Sequence, residues 1–475
     1  VIALDVAEVA AAVGGRVVPS PTAAAGSATV PPLLERVVTD TRDPAVRGAL
    51  FVALTTDSGD GHAHLAAAAR AGAAAALVSE GALASAAPSD LALIVVDDTW
   101  RALRELAVAV HRRVHPTTIA ITGSFGKTTT KDLTLGAVGS SLRAIGAPGS
   151  FNNELGVPLT MLLVGADTEV LVAEVGARHV GDIAEMAALL EPHIAIVTAV
   201  AGVHLEVFGT IDAIARTKRE LVEALRADGT AVLNADDPRV AAMAAHAPAA
   251  VTFSAAGAGD VVARAVRLDP LAHAIVEVDG PWGATEVRVP LPGRHHVPNV
   301  LAALAAAGLA GVPMDAAARG IAGAATSPWR CEVTRADDVT IVNDAYNASP
   351  DTVEAALALL EELPASGRRI AVLGGMAELG DASEDAHRGV GAAVARHAID
   401  ELVVVAGAEG IAEGARAAGF DAERIHAVAD ADAAIELVAA TVGPGDVVLV
   451  KASRVVGLER VAAALGAPAA GARAR

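Results

Sequence analysis

One cysteine, Cys331, stands in a chain of 475 residues. A lone thiol rules out an internal disulfide and a cysteine-based zinc site, and it fits a reducing compartment. Aromatic residues are scarce too, at 2%. The cores must therefore be aliphatic and the helices rich in alanine, which supplies much of the 53% hydrophobic content. Long apolar runs are missing: the strongest, at 91–96 and 447–450, fall far short of the ~20 residues a membrane span needs. No charged n-region with an apolar h-region opens the chain, so the expectation is a soluble, cytoplasmic protein. Basic charge is also short. A formal net charge of −20 argues against nucleic-acid binding but leaves room for anionic small substrates held by local basic residues. The basic stretch at 471–475, GARAR, reads as a frayed end.

What is present begins with residues 117–131, TTIAITGSFGKTTTK. An apolar, β-branched run at 118–122 meets Gly123, Gly126, Lys127 and Thr128, and a helix-compatible segment starts at Thr129. Glycines let consecutive backbone N–H groups turn inward, and a helix start adds about half a positive charge behind them. Lys127 would then lie on the β- and γ-phosphates of a nucleotide and Thr128 would hold Mg²⁺. The common spacing G-x-x-x-x-G-K-[ST] would need glycine where Ile121 stands, so the loop is a shorter variant. The stretch reads as an ATP site.

Length suits about three domains. Residues 1–98 read as a small α/β unit, with strands at 33–39, 49–54 and 91–96 and a short helix at 64–71. Its two polar clusters, at 39–42 and 57–62, read alone as solvated turns. A helix follows with Thr99 as N-cap and Trp100, Leu103, Leu106, Val110 and Val114 at helical spacing; His111 and His115 read as surface residues and Pro116 ends it. Beyond the loop, strands at 170–175, 194–197 and 231–233 alternate with helices near 181–190 and 211–226, which argues for a parallel sheet covered on both faces. Ligands gather at the carboxyl ends of such strands. Glu174 closes one of them and His204 follows the next, donors a divalent cation accepts. Residues 251–290 read as an antiparallel excursion. Asn299 starts an Ala/Leu helix, as a cap that also reaches a bound base. From 327 a second doubly wound sheet is expected, with Ser349 and Pro350 starting a helix; Gly374-Gly375-Met376 is too weak a signal for a cofactor.

In order, these pieces resemble the Mur ligase family of ATP-dependent amide-bond-forming enzymes over essentially the full length. The resemblance rests on GSFGKT at 123–128, SFNNELGVP at 150–158, EVGA at 174–177, HLEVFG at 204–209, LNAD at 233–236, GRH at 293–295 with Asn299, DAYNA at 344–348 and MAELG at 376–380. It implies three α/β domains: an N-terminal domain, 1–98, binding a UDP-sugar; a central P-loop domain with a parallel sheet, 99–326, binding ATP; and a Rossmann-like domain, 327–475, closing on the nucleotide and binding a dipeptide. ATP would phosphorylate a terminal carboxylate, and an amine would attack the acyl phosphate, with Lys127 and two Mg²⁺ ions balancing the charge.

The site residues implied follow position by position. Ser124, Phe125 and Thr129 complete the ATP loop. Thr128 and Glu174 fit one metal ion; His204, with Glu174 shared, fits the other. Lys218 lies where several family members carbamylate a lysine, with a plain surface lysine as the alternative. Asn299, Arg330, Asp344 and Asn347 would clasp the adenine, ribose and phosphates. Thr41, Arg42, Asp60 and His62 match positions linked to the UDP-sugar, Asn152 and Asn153 a substrate-binding stretch, and Lys451, Ser453 and Arg454 the dipeptide side. Thr41 for serine and Gly375 for aspartate depart from the family's habit. Residues 151–154 and the type of N-terminal domain favour the dipeptide-adding branch, acting as a monomer on UDP-MurNAc-tripeptide and D-alanyl-D-alanine. A sister ligase, adding one amino acid to a UDP-muramyl peptide or glutamate to folate, and a nucleotide switch that joins nothing remain as alternatives.

Overall fold

Strands that carry apolar side chains on both faces are covered on both, and those near the end of the chain show how. In Val339–Asn343, Arg369–Leu373, Glu401–Val405 and Val447–Lys451, Ile341, Val372, Val403, Val448 and Val450 enter one core. Their neighbours Val342, Ala371, Leu373, Leu402, Val404 and Leu449 enter another. Helices Pro350–Glu362, Ser383–Arg396 and Glu409–Ala417 close the second core, and Ala431–Thr441 and Glu459–Gly466 the first. The sheet runs Glu332–Ala336, Val339–Asn343, Val447–Lys451, Arg369–Leu373, Glu401–Val405, Ile425–Val428, parallel except for its first pair. The expected helix start is present: Ser349 N–H donates to Thr352 Oγ1 at 2.9 Å and Pro350 occupies the first turn.

These coordinates come from a computed structural model that describes residues 3–20, 33–82, 91–203 and 205–466. The chain forms two compact units. The larger joins the sheet above to a second set of strands, Ile194–Val197, Thr230–Asn234, Ala249–Ser254, Val261–Leu268, His273–Asp279 and Thr285–Pro292 in that spatial order. Pairing is parallel as far as Val261–Leu268 and antiparallel after it. The expected excursion is therefore antiparallel only in its last three strands. The end of Thr117–Thr122 belongs here too, with Thr198 N–H on Thr122 O at 3.0 Å. Helix Lys127–Gly139 crosses Met314–Ala322 at two glycines. A Cβ on Gly320 would stand 2.1 Å from Gly136 O, so the crossing requires bare backbone.

The smaller unit holds a five-stranded sheet in the order Arg16–Val18, Ala92–Val96, Ala75–Ser79, Leu50–Val52, Val37–Val38, antiparallel only at its first pair. It also holds the start of Thr117–Thr122 and the parallel pair Val170–Glu174 and Ala144–Ile145. Helix Thr99–Val114 is capped by Asp98, whose carboxylate accepts from Trp100 and Arg101 N–H, rather than by Thr99. His111 is buried, not surface-exposed, with Nε2 2.8 Å from Thr118 Oγ1. Helix Val6–Ala12 and strands Arg16–Val18 and Ala75–Ser79 were not anticipated. No described helix is long and apolar enough to cross a membrane. The 471–475 stretch and His204 lie outside the described residues.

Candidate active site

Two glycines shape the loop that follows Thr117–Thr122. Gly123 has φ 149°, and a Cβ there would fall 2.0 Å from Thr198 Oγ1; Gly126 has φ 77°, and its Cβ would meet Asn299 Oδ1 at 2.7 Å. Neither position admits a side chain. The helix begins at Lys127, two residues ahead of the expected start, directly after left-handed Gly126. The loop is tied down behind: Thr198 Oγ1 donates to Phe125 O at 2.5 Å, Ser124 N–H to Ala199 O at 2.8 Å, and Ala201 N–H to Ser124 Oγ at 2.9 Å. Asn234 Nδ2 in turn donates to Thr198 O at 3.0 Å. Lys127 Nζ arches over to Gly123 O at 2.7 Å. Thr128 and Thr129 are buried on the first turn. Asn299 is the third residue of Val297–Leu309, not its cap, and its Oδ1 accepts from Thr130 Oγ1 at 3.2 Å.

Arg330 joins this loop through Nη2, which donates to Thr128 Oγ1 at 2.8 Å. Its guanidinium lies 4.1 Å over the Tyr346 ring, and its buried Nε has no partner among the described residues. Both neighbours, Trp329 at φ 59° and Cys331 at φ 49°, are left-handed without being glycine. Such residues cost roughly 1–3 kcal/mol each and persist where the surroundings fix them. Here Tyr346 N–H holds Trp329 O at 3.2 Å and Cys331 N–H holds Asp344 Oδ1 at 3.2 Å. Arg454 stacks 4.1 Å from the Trp329 ring.

Asp344 and Lys451 meet because they extend neighbouring parallel strands. Lys451 Nζ donates to Asp344 Oδ2 at 2.5 Å and to Asn347 O at 2.9 Å, with its side chain 2% exposed. Ser453 Oγ reaches Asn347 Oδ1 at 3.4 Å and accepts from Ala377 N–H at 2.9 Å. Gly375 contributes its carbonyl, which accepts from Ser453 N–H at 3.0 Å. Asp344, Asn347, Lys451 and Ser453 thus form one connected cluster. Beside it, after Gly293, His295 lies partly buried and His296 buried, and His295 Nε2 is 3.6 Å from Cys331 Sγ. Burial pushes the Cys331 thiol up, holds His295 down to about 4, and holds His296 well below the ordinary imidazole range.

Lys218 is buried rather than on the surface. Desolvation, reinforced by the positive charge of Lys127, brings its amine down to about 7. In the smaller unit Glu174 is 2% exposed and its Oε1 accepts from Ser150 Oγ at 2.9 Å and Asn152 Nδ2 at 2.7 Å. Asn153 instead turns its Oδ1 to Gly156 N–H at 2.9 Å, shaping the turn into helix Gly156–Met161. His62 is buried: its Nε2 accepts from Ser79 N–H at 3.0 Å, so Nδ1 carries the proton and donates to Asp60 Oδ1 at 2.6 Å. Arg42 grips Asp40 at 2.6 Å and holds that carboxyl down to about 2. Thr41 lies half-buried between them.

Residues 121–307 match the Mur ligase middle domain and residues 329–454 the Mur ligase glutamate ligase domain. A Mycobacterium tuberculosis UDP-N-acetylmuramoyl-tripeptide–D-alanyl-D-alanine ligase is 40% identical over 98% of each chain. The chain belongs to the Mur ligase family. A Bacillus subtilis ligase of the same name is 33% identical over 90% of this chain and 92% of its own. The crystal structure of MurF from Acinetobacter baumannii superposes with a TM-score of 0.83 at 28% identity over 98% of this chain and 99% of its own. The MurF ligase of Thermotoga maritima in complex with ADP gives 0.77 at 29%, over 91% and 97%.

For this Mur ligase, sequence reasoning reached the loop, Arg330 and Glu174 but passed over three residues that each hold one of them. Thr198 blocks Gly123 and anchors Phe125; it directly follows Ile194–Val197, a strand end where such residues belong. Tyr346, inside the DAYNA motif, is the platform for Arg330, and Ser150, inside SFNNELGVP, orients Glu174. The site is chemically suited to a nucleotide: the unpartnered Nε of Arg330 beside Thr128 is a buried donor awaiting an anionic oxygen. Thr128 Oγ1 is a hard oxygen donor of the kind Mg²⁺ takes; in the smaller unit, the buried Glu174 carboxylate is another such donor.

Proposed function

We propose that this Mur ligase joins D-alanyl-D-alanine to UDP-MurNAc-tripeptide at the expense of ATP, in peptidoglycan precursor synthesis. The observation that carries the reading is the 40% identity with the Mycobacterium tuberculosis enzyme over 98% of both chains, and the loop chemistry agrees with it. The tripeptide carboxylate oxygen attacks the γ-phosphorus and the bond to the bridging oxygen breaks, leaving ADP. The dipeptide amine then adds to the acyl phosphate carbon, loses a proton, and expels phosphate.

Lys127 Nζ, which donates to Gly123 O, would turn to a phosphate oxygen and neutralise charge as the phosphoryl group moves. Arg330 turns its unpaired Nε to the same oxygens while Tyr346 keeps the guanidinium plane in place. Asn299, whose Oδ1 touches the loop, fixes the nucleotide's other end. Thr128, Glu174 and His204 are proposed as Mg²⁺ ligands; when bound, the ion would withdraw charge from phosphate oxygens. Lys218, with an amine held near neutrality, is proposed to take up CO₂ and become a carboxylate ligand. Asp344 and Asn347 serve the ribose and adenine. Lys451 and Ser453 hold the strand ends that carry them, with Arg454 on the dipeptide side. Thr41, Arg42, Asp60, His62, Asn152 and Asn153 are proposed for the UDP-MurNAc-tripeptide. The proposal keeps three functional domains, 1–98, 99–326 and 327–475, in a cytoplasmic monomer.

Phosphate release with ATP, Mg²⁺ and UDP-MurNAc-tripeptide, with and without D-alanyl-D-alanine, tests the reading. Release that needs the dipeptide, with the product heavier by one dipeptide residue, is the expected result. Release indifferent to the dipeptide overturns the branch assignment.

A further inference from the structure

The cluster of His295, His296 and Cys331 takes no part in the steps above. Each offers one ligand atom, and the three atoms lie within 4.8 Å of one another. The His295 Nε2 to Cys331 Sγ separation is 3.6 Å. Zn–N and Zn–S bonds at a tetrahedral angle set a ligand–ligand edge of about 3.6 Å. His296 Nε2 is buried with no partner among the described residues, an unmet polar atom that a bound ion would satisfy. We propose that His295, His296 and Cys331 form a binding site for a thiophilic d¹⁰ cation, zinc being the ion intended, with water in the fourth position.

The surroundings fit a metal site in three respects. Both imidazoles are neutral when the ion arrives, as ligation requires. His296 Nδ1 lies 3.4 Å from Asn299 Nδ2, and an amide can serve either tautomer by turning over, so Asn299 can orient the ring. His295 is only partly buried, giving the ion an entry route. Gly293 makes the geometry possible: at φ 105°, with a would-be Cβ 2.5 Å from His295 Cε1, it lets the ring fold back over the turn. Binding replaces the Cys331 S–H bond by S–Zn and releases that proton to solvent. The expectation from a single cysteine, that no cysteine-based zinc site exists, is thereby revised: two imidazoles supply what further thiolates would have.

The site touches both groups that steady the phosphate loop. Cys331 follows Arg330, which holds Thr128, and His296 contacts Asn299, which abuts Gly126. An ion here would pin both, so one equivalent of zinc should slow phosphate release severalfold; this consequence, though not the site, rests on the ligase reading.

Cobalt(II) makes the binding visible, because thiolate ligation gives a near-ultraviolet charge-transfer band. With one cysteine in the chain, such a band can arise only from Cys331. The full-length protein, stripped with chelator, should develop the band with one equivalent of Co²⁺ and lose it when Zn²⁺ is added. Cys331→Ser should show no band, and His296→Asn should bind Co²⁺ at least tenfold more weakly. No band in the wild type, or unchanged Co²⁺ affinity in His296→Asn, overturns the site. Should Cys331→Ser fail to fold, the wild-type band and the His296→Asn affinity decide.

Discussion

The phosphate loop and the polar turn at 57–62 are both short, glycine-containing and hydroxyl-rich, yet they are held in opposite ways. In the loop, a Cβ on Gly123 would lie 2.0 Å from Thr198 Oγ1, and the bonds that fix the loop come from residues more than seventy positions away. In the turn, a Cβ on Gly59 meets nothing within 4 Å, and Thr55, Asp60 and His62 bond mostly to one another. A loop that must present backbone N–H groups to phosphate has no spare space, so its glycines are obligatory. The exposed turn satisfies most of its polar groups locally and is crowded only at Gly61, where a Cβ would stand 2.8 Å from Leu54 N. That difference predicts how each responds to substitution.

The largest effect falls on the loop. Lys127→Ala removes a preorganised cation from the transferring phosphoryl group and should lower kcat about a hundredfold or more, at least ~3 kcal/mol, with little change in thermal stability. Near wild-type phosphate release in that variant would place the chemistry elsewhere.

Next comes Lys218, buried behind the same loop. Burial holds its amine at about 7 in the folded chain, against 10.5 for an ordinary lysine. Between those values the unfolded chain binds the extra proton, so stability rises with pH from about 7 to about 10.5 and is lowest below 7. Lys218→Met removes that penalty. It should be more stable than the wild type at pH 6 by a few kcal/mol, on the scale of 1.36 kcal/mol per pH unit, with the gain gone near pH 10.5. Turnover should fall at the same time. Melting curves across that range check the sign; a gain that grows with pH would contradict it.

Gly123→Ala and Gly59→Ala form the direct pair. The first should cost about 1–3 kcal/mol through the clash with Thr198 and weaken nucleotide binding. The second has open space around it and only its φ of 159° against it, so it should cost less, about 1 kcal/mol. Equal effects at the two glycines, in denaturant melts and nucleotide titrations, would erase the distinction.

The same contrast explains what could be read in advance. The loop was legible because apolar strand, glycines, lysine and threonine are a local pattern with one physical purpose. The doubly wound sheet at the end of the chain was legible because strands buried on both faces are apolar throughout. Helix Val6–Ala12 and strand Ala75–Ser79 were not, since alanine-rich segments give little contrast between faces. The helix after strand Ala92–Val96 was seen but capped one residue late: Thr99 and Asp98 are both capping residues, and only geometry shows that Asp98 takes both N–H groups. His111 was misplaced because an imidazole counts as polar, whereas burial beside Thr118 satisfies it. Arg330 on Thr128 joins residues two hundred apart; no local pattern encodes that, and family resemblance alone pointed to it.

A further modest effect belongs to His62, and it separates contact from support. His62 bridges the turn to the end of strand Ala75–Ser79, donating from Nδ1 to Asp60 and accepting at Nε2 from Ser79. Asparagine is too short to span both. His62→Asn should therefore lose one hydrogen bond, about 1 kcal/mol of stability, and let Asp60 swing from its place. If Asp60 meets the UDP-sugar, KM for that substrate rises severalfold while kcat and the KM for ATP stay unchanged. A loss of stability with every KM unchanged would make His62 and Asp60 a structural bridge alone, and the sugar would have to be held by Thr41 and Arg42.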